Sequence, residues 1–318
     1  MQYYCAPLEG ITSWHYRNLH HRYFPGVDRY YTPFLSPSQH HVFSKREQKE
    51  IHRARNQGVP VVPQLMTRQA EDFIWAANAL FDLGYQEVNL NLGCPSGTVV
   101  AKGKGAGFLA RREELYRFLE EVFQRVSGPV SIKTRLGLKD PEEFWPVLAC
   151  YNQFPIAELT VHFRVQKDFY RNPVRREGLA RVLAESRHPV CYNGDLVTDA
   201  DFKALKGAHP AVERVMAGRG LMADPSLICR QKGGGPLKRE TLRAFLDELY
   251  ECYCVCFDSR RNAMLRMKEL WFYQGCLFQD SEKLLKILRK ATDWRVYEDT
   301  VERIFGELEL LPEPRAGW

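Results

Sequence analysis

The chain has 318 residues, 45% hydrophobic and 26% charged, with nine cysteines and 45 Lys+Arg against 39 Asp+Glu for a net charge of +6. Those are ordinary globular values for one large α/β domain plus a smaller one. No apolar run approaches the ~20 residues of a membrane span, and the mild basic excess permits a polyanionic partner without requiring one.

Taken in order, Met1-Gln2-Tyr3-Tyr4-Cys5 lacks the basic and apolar regions of a signal peptide and reads directly as a strand. Together with an odd number of cysteines at no small-domain spacing, this predicts reduced thiols in a cytoplasm. Eight short β-rich runs follow one another, at residues 2–7, 28–33, 60–65, 86–91, 129–134, 157–162, 189–193 and 213–217. Their spacing of about 30 residues is that of a βα repeat. Pairs such as Val61-Val62 and Val215-Met216 put apolar groups on both strand faces, as parallel strands covered by helices require. Eight such units predict an α/β fold, a (β/α)8 TIM barrel. An open doubly wound sheet would show Gly-x-Gly-x-x-Gly after its first strand, where Ala6-Pro7-Leu8-Glu9-Gly10 stands instead.

Gln231-Lys232-Gly233-Gly234-Gly235-Pro236 is the clearest linker. Beyond it the β signal disappears, and residues 237–257, 262–272, 281–291 and 296–308 read as helices. The expected division is a barrel domain at 1–232 and a helical bundle domain at 237–318. Cys252, Cys254 and Cys256, at a spacing of two, fall on different faces of a helix and read as buried thiols; no metal site is expected.

Polar groups gather at the C-terminal ends of the β runs, where such barrels build active sites. The third run ends in Gln64, the fourth in Asn91 and Cys94, the fifth in Lys133 and Arg135, and the sixth in His162 and Arg164. The last two end in Asn193-Gly194-Asp195 and Gly218-Arg219, turns whose backbone amides, with the Arg219 guanidinium, can bind phosphate. Lys133 and Gln64 would face the other end of that ligand. A phosphate at one end and an amide plus a cation at the other suits flavin mononucleotide (FMN), whose reduced ring carries negative charge.

Asn91-Leu92-Gly93-Cys94-Pro95 followed by Lys102-Gly103-Lys104-Gly105-Ala106 resembles the dihydrouridine synthases, flavin enzymes that reduce uridine in tRNA. The resemblance extends along the chain, from a flavin-binding barrel to a C-terminal helical domain. It implies that Pro7, Leu8, Glu9, Gln64, Lys133, His162, Asn193, Gly194, Asp195, Gly218 and Arg219 bind the flavin, reduced by NADPH or NADH. Leu8 replaces the family's usual Met, Asn89 a common Asp, Phe163 interrupts His-Gly-Arg and Val165 replaces Thr. Phe163 and Val165 are expected to alter the substrate side of the pocket.

The resemblance further implies a hydride to uracil C6 and a proton from Cys94 to C5. An unperturbed thiol, with a pKa of ~8.5, is still protonated at neutral pH. Asn91 would orient the uracil. Arg135 and Arg164 would line the substrate side, and Lys102 and Lys104 would close over RNA on a flexible loop. A base inside folded RNA must be extruded to react, which explains a second domain able to hold RNA. Cations there include Arg266 and Lys268, with Trp271 and Tyr273 interleaved. A monomer acting on tRNA in the cytoplasm is expected. The alternatives are a flavin barrel acting on a small molecule and a synthase acting on ribosomal RNA.

Overall fold

The computed structural model describes residues 1–315. Its strands are β1 (Gln2–Cys5), β2 (Arg29–Tyr31), β3 (Val61–Val62), β4 (Gln64–Leu65), β5 (Val88–Leu92), β6 (Val130–Arg135), β7 (Leu159–His162), β8 (Val190–Asn193) and β9 (Arg214–Ala217). They form one parallel sheet in the order β3-β2-β1-β9-β8-β7-β6-β5-β4. Only Pro63 separates β3 from β4, and a proline has no N–H to give to a ladder. Val61 pairs with Tyr30 of β2, and Gln64 with Asn89 of β5. The two ends of the sheet are therefore halves of one strand, and the sheet closes into the expected eight-unit barrel.

Side-chain alternation decides what the barrel encloses. Every residue of β5 is buried, so helices cover one face and the barrel interior takes the other. On β6, Thr134 points outward and its hydroxyl accepts from Tyr151 at 3.2 Å on the covering helix Phe144–Tyr151. Ser131, Lys133 and Arg135 consequently point inward. The helix Arg112–Arg125 buries Leu115, Phe118, Leu119 and Val122 at i, i+3, i+4 and i+7. Burying each such side chain is worth about 1.5–3 kcal/mol. At the opposite end of the strands Tyr4 donates to Glu158 at 2.9 Å, and Arg214 lies 3.3 Å from the same carboxylate. Burial pushes the Glu158 carboxyl above the usual range, against the pull of Arg29.

The chain divides into two compact units. The first holds Met1–Pro7, Asp28–Gly194 and Leu205–Met216; the second holds Leu8–Val27, Asp195–Ala204 and everything from Ala217 onward. The expected linker lies inside the second unit and closes a helix. After the helix Leu227–Gln231, Gly233 donates to the Arg230 carbonyl and Gly234 to that of Cys229, with Gly233 at φ 88. That is the paired closure a C-terminal glycine makes. The end of the expected helical domain, residues 316–318, lies outside the described residues.

The second unit contains helices Trp14–Tyr23, Arg239–Phe257, Arg260–Gln274, Glu282–Lys290 and Trp294–Glu307, the last four close to their expected places. Trp271, expected among aromatics facing RNA, is instead core: it is 1% exposed and donates to the Tyr297 hydroxyl at 3.2 Å. Cys252, Cys254 and Cys256 are half-buried rather than buried. Among the described residues no helix is long and apolar enough to cross a membrane.

Candidate functional site

In the first unit, Cys94 sits just beyond β5, held by a relay of amides. Asn91 Oδ1 accepts from the backbone N–H of Gly93 at 3.0 Å and of Cys94 at 2.9 Å. An oxygen must receive those two donors, so the Asn91 amide nitrogen is forced toward Gln64, whose Oε1 accepts at 2.7 Å. Gln64 Nε2 then donates to Asn89 Oδ1 at 2.8 Å, and Asn89 Nδ2 to the Ser131 hydroxyl at 2.9 Å. The backbone of the Cys94 turn thus sets the direction of four side chains on β4, β5 and β6. Asn91, expected to orient substrate, is 8% exposed and shapes the Cys94 turn.

Arg135, expected on the substrate side, braces the same turn. It is 1% exposed and donates through Nε to the Gly93 carbonyl and through Nη1 to that of Val165, both at 3.0 Å. The Tyr170 ring lies 5.1 Å from its guanidinium. The following loop adds a third tie, Gln166 Nε2 to the Pro95 carbonyl at 2.9 Å. Asp168 anchors that loop on Arg175, Asn172 and the Val165 N–H. Those bonds outweigh burial and hold its carboxyl at about 2. Phe169 beside it stands at φ 50, a left-handed backbone that a bulky residue adopts only under constraint. Nothing in the local sequence announces this loop's geometry.

Lys133 lies across from Asn91 on β6. No ion pair or hydrogen bond to it is recorded among the described residues, and burial with Arg135 nearby pulls its ammonium down to about 8. His162, on the neighbouring β7, is 6% exposed, and Arg164 Nη1 donates to its Nε2 at 3.1 Å. An acceptor at Nε2 places the imidazole proton on Nδ1. Arg164, itself 2% exposed, also donates to the Asn172 carbonyl at 2.6 Å, so it orients His162 and the loop. Asn193 Nδ2 donates to the Met216 carbonyl at 2.8 Å. Phe163 and Val165, expected to alter the pocket, are core residues. Strand alternation turns His162 inward and Phe163 outward, onto the Tyr192 ring at 5.4 Å, while Val165 is 1% exposed.

The glycine-rich loop after Cys94, expected to be flexible, is pinned. Ala106 donates to the Cys94 carbonyl at 3.1 Å. A Cβ on Gly105, which stands at φ 55, would come 2.9 Å from the Cys94 Cβ. Lys102 is exposed and Lys104 half-buried on this loop.

Within the second unit, Arg219 Nη2 donates to Asp195 Oδ1 at 2.8 Å. Gly220 lies so close to the Leu196 carbonyl that no side chain fits there. The two expected phosphate turns are therefore clamped together, with part of the Arg219 charge met by Asp195. The Leu8 carbonyl accepts from the Thr12 N–H at 3.0 Å in a tight turn that leaves Glu9 exposed; Pro7, which precedes it, is half-buried. Arg266, expected on RNA phosphates, donates to the Gly10 carbonyl of that turn at 2.5 Å and pairs with Glu269 at 3.2 Å. Lys268 donates to the Ala291 carbonyl at 2.8 Å, and burial lowers its pKa. Both are ties within the unit.

The family model described as dihydrouridine synthase matches residues 4–314. The tRNA-dihydrouridine(16) synthase of Pseudomonas syringae pv. tomato is 28% identical over 308 residues, 92% of this chain and 96% of that one. The Pseudomonas putida protein of the same name is 31% identical over 234 residues, 71% and 72% of the two chains. Among solved structures, an old yellow enzyme homologue from Zymomonas mobilis superposes with a TM-score of 0.54 at 12% identity, covering 74% of this chain and 90% of that one. A morphinone reductase variant in complex with tetrahydroNAD gives a TM-score of 0.53 at 13% identity, covering 74% and 87%. At such identities the likeness is one of fold.

Proposed function

The chain belongs to the dihydrouridine synthase family, and we propose that it reduces uridine to 5,6-dihydrouridine at position 16 of tRNA in the cytoplasm, with FMN as cofactor and NADPH as reductant. The position is taken from the names of its relatives. The observation that carries the reading is a cysteine just beyond β5 whose turn is held by Asn91, with Lys133, for which the described residues show no ion pair, across from Asn91 on β6.

The residues of the barrel suit FMN. Among the described residues no carboxylate engages Lys133. Gln64 and Asn91 each keep one amide N–H beyond the relay bonds. His162 and Asn193 stand at the ends of β7 and β8. The family resemblance gives Gly194, Asp195, Gly218 and Arg219 to the phosphate, and Pro7, Leu8 and Glu9 to the flavin. When bound and reduced by NADPH, FMN would supply a hydride to uracil C6.

The chain's own residues govern the rest. Cys94 Sγ gives a proton to C5, general-acid work that depends on where the thiol stands. Asn91 and Arg135 set that place, gripping the turn from its N–H groups and from a carbonyl. Lys133, charged below about pH 8, favours the electron-rich state of whatever lies against it. Arg164 keeps His162 Nε2 as an acceptor. Cys94→Ala tests the assignment: it should keep its flavin and oxidise NADPH, yet form no dihydrouridine in tRNA. Full tRNA reduction by this variant would remove Cys94 from the reaction.

A further inference from the structure

We infer that residues 38–53 of the first unit form a contact surface for the RNA substrate, with Lys45 and Lys49 on phosphates and the His41–Trp75 stack as a platform for an unpaired base. The inference rests on the RNA-modifying reading above.

The segment leaves the C-terminal end of β2, the barrel end that also carries Cys94. Only the broken strand β3/β4 lies between β2 and β5. Residues 38–53 carry Lys45, Arg46, Lys49 and Arg53 against two acids, Glu47 and Glu50. Neither acid is exposed: Glu47 is half-buried and Glu50 buried. Glu47 accepts from the Ser44 N–H at 2.8 Å and the Ser36 N–H at 2.7 Å, and Glu50 is 8% exposed. Lys45 and Lys49 stand one turn apart on the helix Lys45–Ile51, both exposed, with no ion pair recorded among the described residues. An ordinary solvated helix face interleaves signs at that spacing. On this one the exposed charged residues, Lys45, Arg46 and Lys49, are all basic, while Glu47 is half-buried and Glu50 buried.

Beside it the His41 ring lies parallel to Trp75, with centroids 5.1 Å apart and planes within 4°, and Phe43 packs on the same indole at 4.8 Å. The His41 side chain is 41% exposed and stands 3.7 Å from Asp72. Its backbone is at φ 51, so the turn presents the ring in a conformation non-glycine residues seldom adopt. Glu71, the other nearby acid, is engaged by Arg125. An exposed π-face next to unpaired cations is the pairing that holds splayed nucleotides: the ring stacks a base and the cations follow the backbone.

The test measures affinity for an unmodified tRNA transcript across a range of salt. Replacing Lys45 and Lys49 together by Ala should lower the slope of log K against log salt by about 0.7–0.9 per lost contact. Lys45→Arg with Lys49→Arg should keep the slope. His41→Ala should weaken binding about 5- to 150-fold, the range for one stacked base, with the slope unchanged. NADPH oxidation without RNA should be equal in all variants, which shows that each is folded. An unaltered slope in the double Ala variant, or an unaltered affinity in His41→Ala, overturns the inference while leaving the reaction intact. A wild-type protein that neither binds nor modifies tRNA overturns the functional reading itself.

Discussion

Asn91→Ala should loosen the Cys94 turn and cost measurable stability. Asn91 Oδ1 satisfies two backbone N–H groups and its Nδ2 satisfies Gln64 Oε1. The Cys94 N–H lies at a half-buried residue and can find water, but the Gly93 N–H and Gln64 Oε1 lie at buried residues. Each group left unsatisfied costs about 1–3 kcal/mol. The pair sums to roughly 2–6 kcal/mol, or a fall of about 3–9 °C in melting temperature for a chain of this size. Asn91→Asp is the informative control. A carboxylate still accepts both backbone N–H groups, and the remaining relay can reverse: Gln64 and Asn89 flip, and the Ser131 hydroxyl, able to donate as well as accept, closes the chain. Thermal denaturation followed by circular dichroism should therefore rank wild type, then Asp, then Ala. In single turnovers on tRNA the Ala variant should lose about 100-fold in dihydrouridine formation, since displacing a reacting group by about 1 Å costs that much. An Ala variant that melts with wild type, or an Asp variant that melts below Ala, would refute the relay.

Lys133 gives a pH dependence whose sign follows from its lowered pKa. The ammonium is charged below about pH 8 and neutral above it, so affinity for FMN should fall as pH rises through 8 and be flat in Lys133→Met; flavin-release titrations check this. Between about pH 8 and the unfolded lysine value near 10.4 the unfolded chain binds more protons. Lys133 should therefore add stability with rising pH there, a gain absent from Lys133→Met melts. Gly220→Ala drives a Cβ into the Leu196 carbonyl and should lower the melting point and soluble yield; an undisturbed melt would refute the close approach. Arg266→Ala with Lys268→Ala should leave the salt slope of tRNA binding unchanged, because both cations are tied to carbonyls; a flatter slope would return them to the RNA interface.

How much was legible divides along physical lines. Barrel strands and helices are local in origin: β-branched pairs buried on both faces and apolar residues at helical spacing specify them residue by residue. The placement of Gln64, Cys94, Lys133 and His162 at strand ends followed from that periodicity, because a parallel barrel puts all those ends on one side. Closure through Pro63 was not legible, since a proline inside a β run does not say that its two halves pair with different neighbours. Nor was the inward or outward sense of a residue, which is why Phe163 was expected in the pocket and lies against Tyr192.

The cations show the same limit. Arg135, Arg266 and Lys268 read alike as free positive charge, yet each donates to a carbonyl distant in sequence, while Lys45 and Lys49 keep solvent, with Glu47 between them capping backbone N–H groups and Glu50 beyond them buried. By itself, then, the amino-acid order determined the barrel, the thiol at a strand tip and the family, all of which rest on short-range pattern. Only the tertiary structure decided which polar groups are free to act, because a hydrogen bond between residues far apart in the chain leaves no trace in the spacing of either.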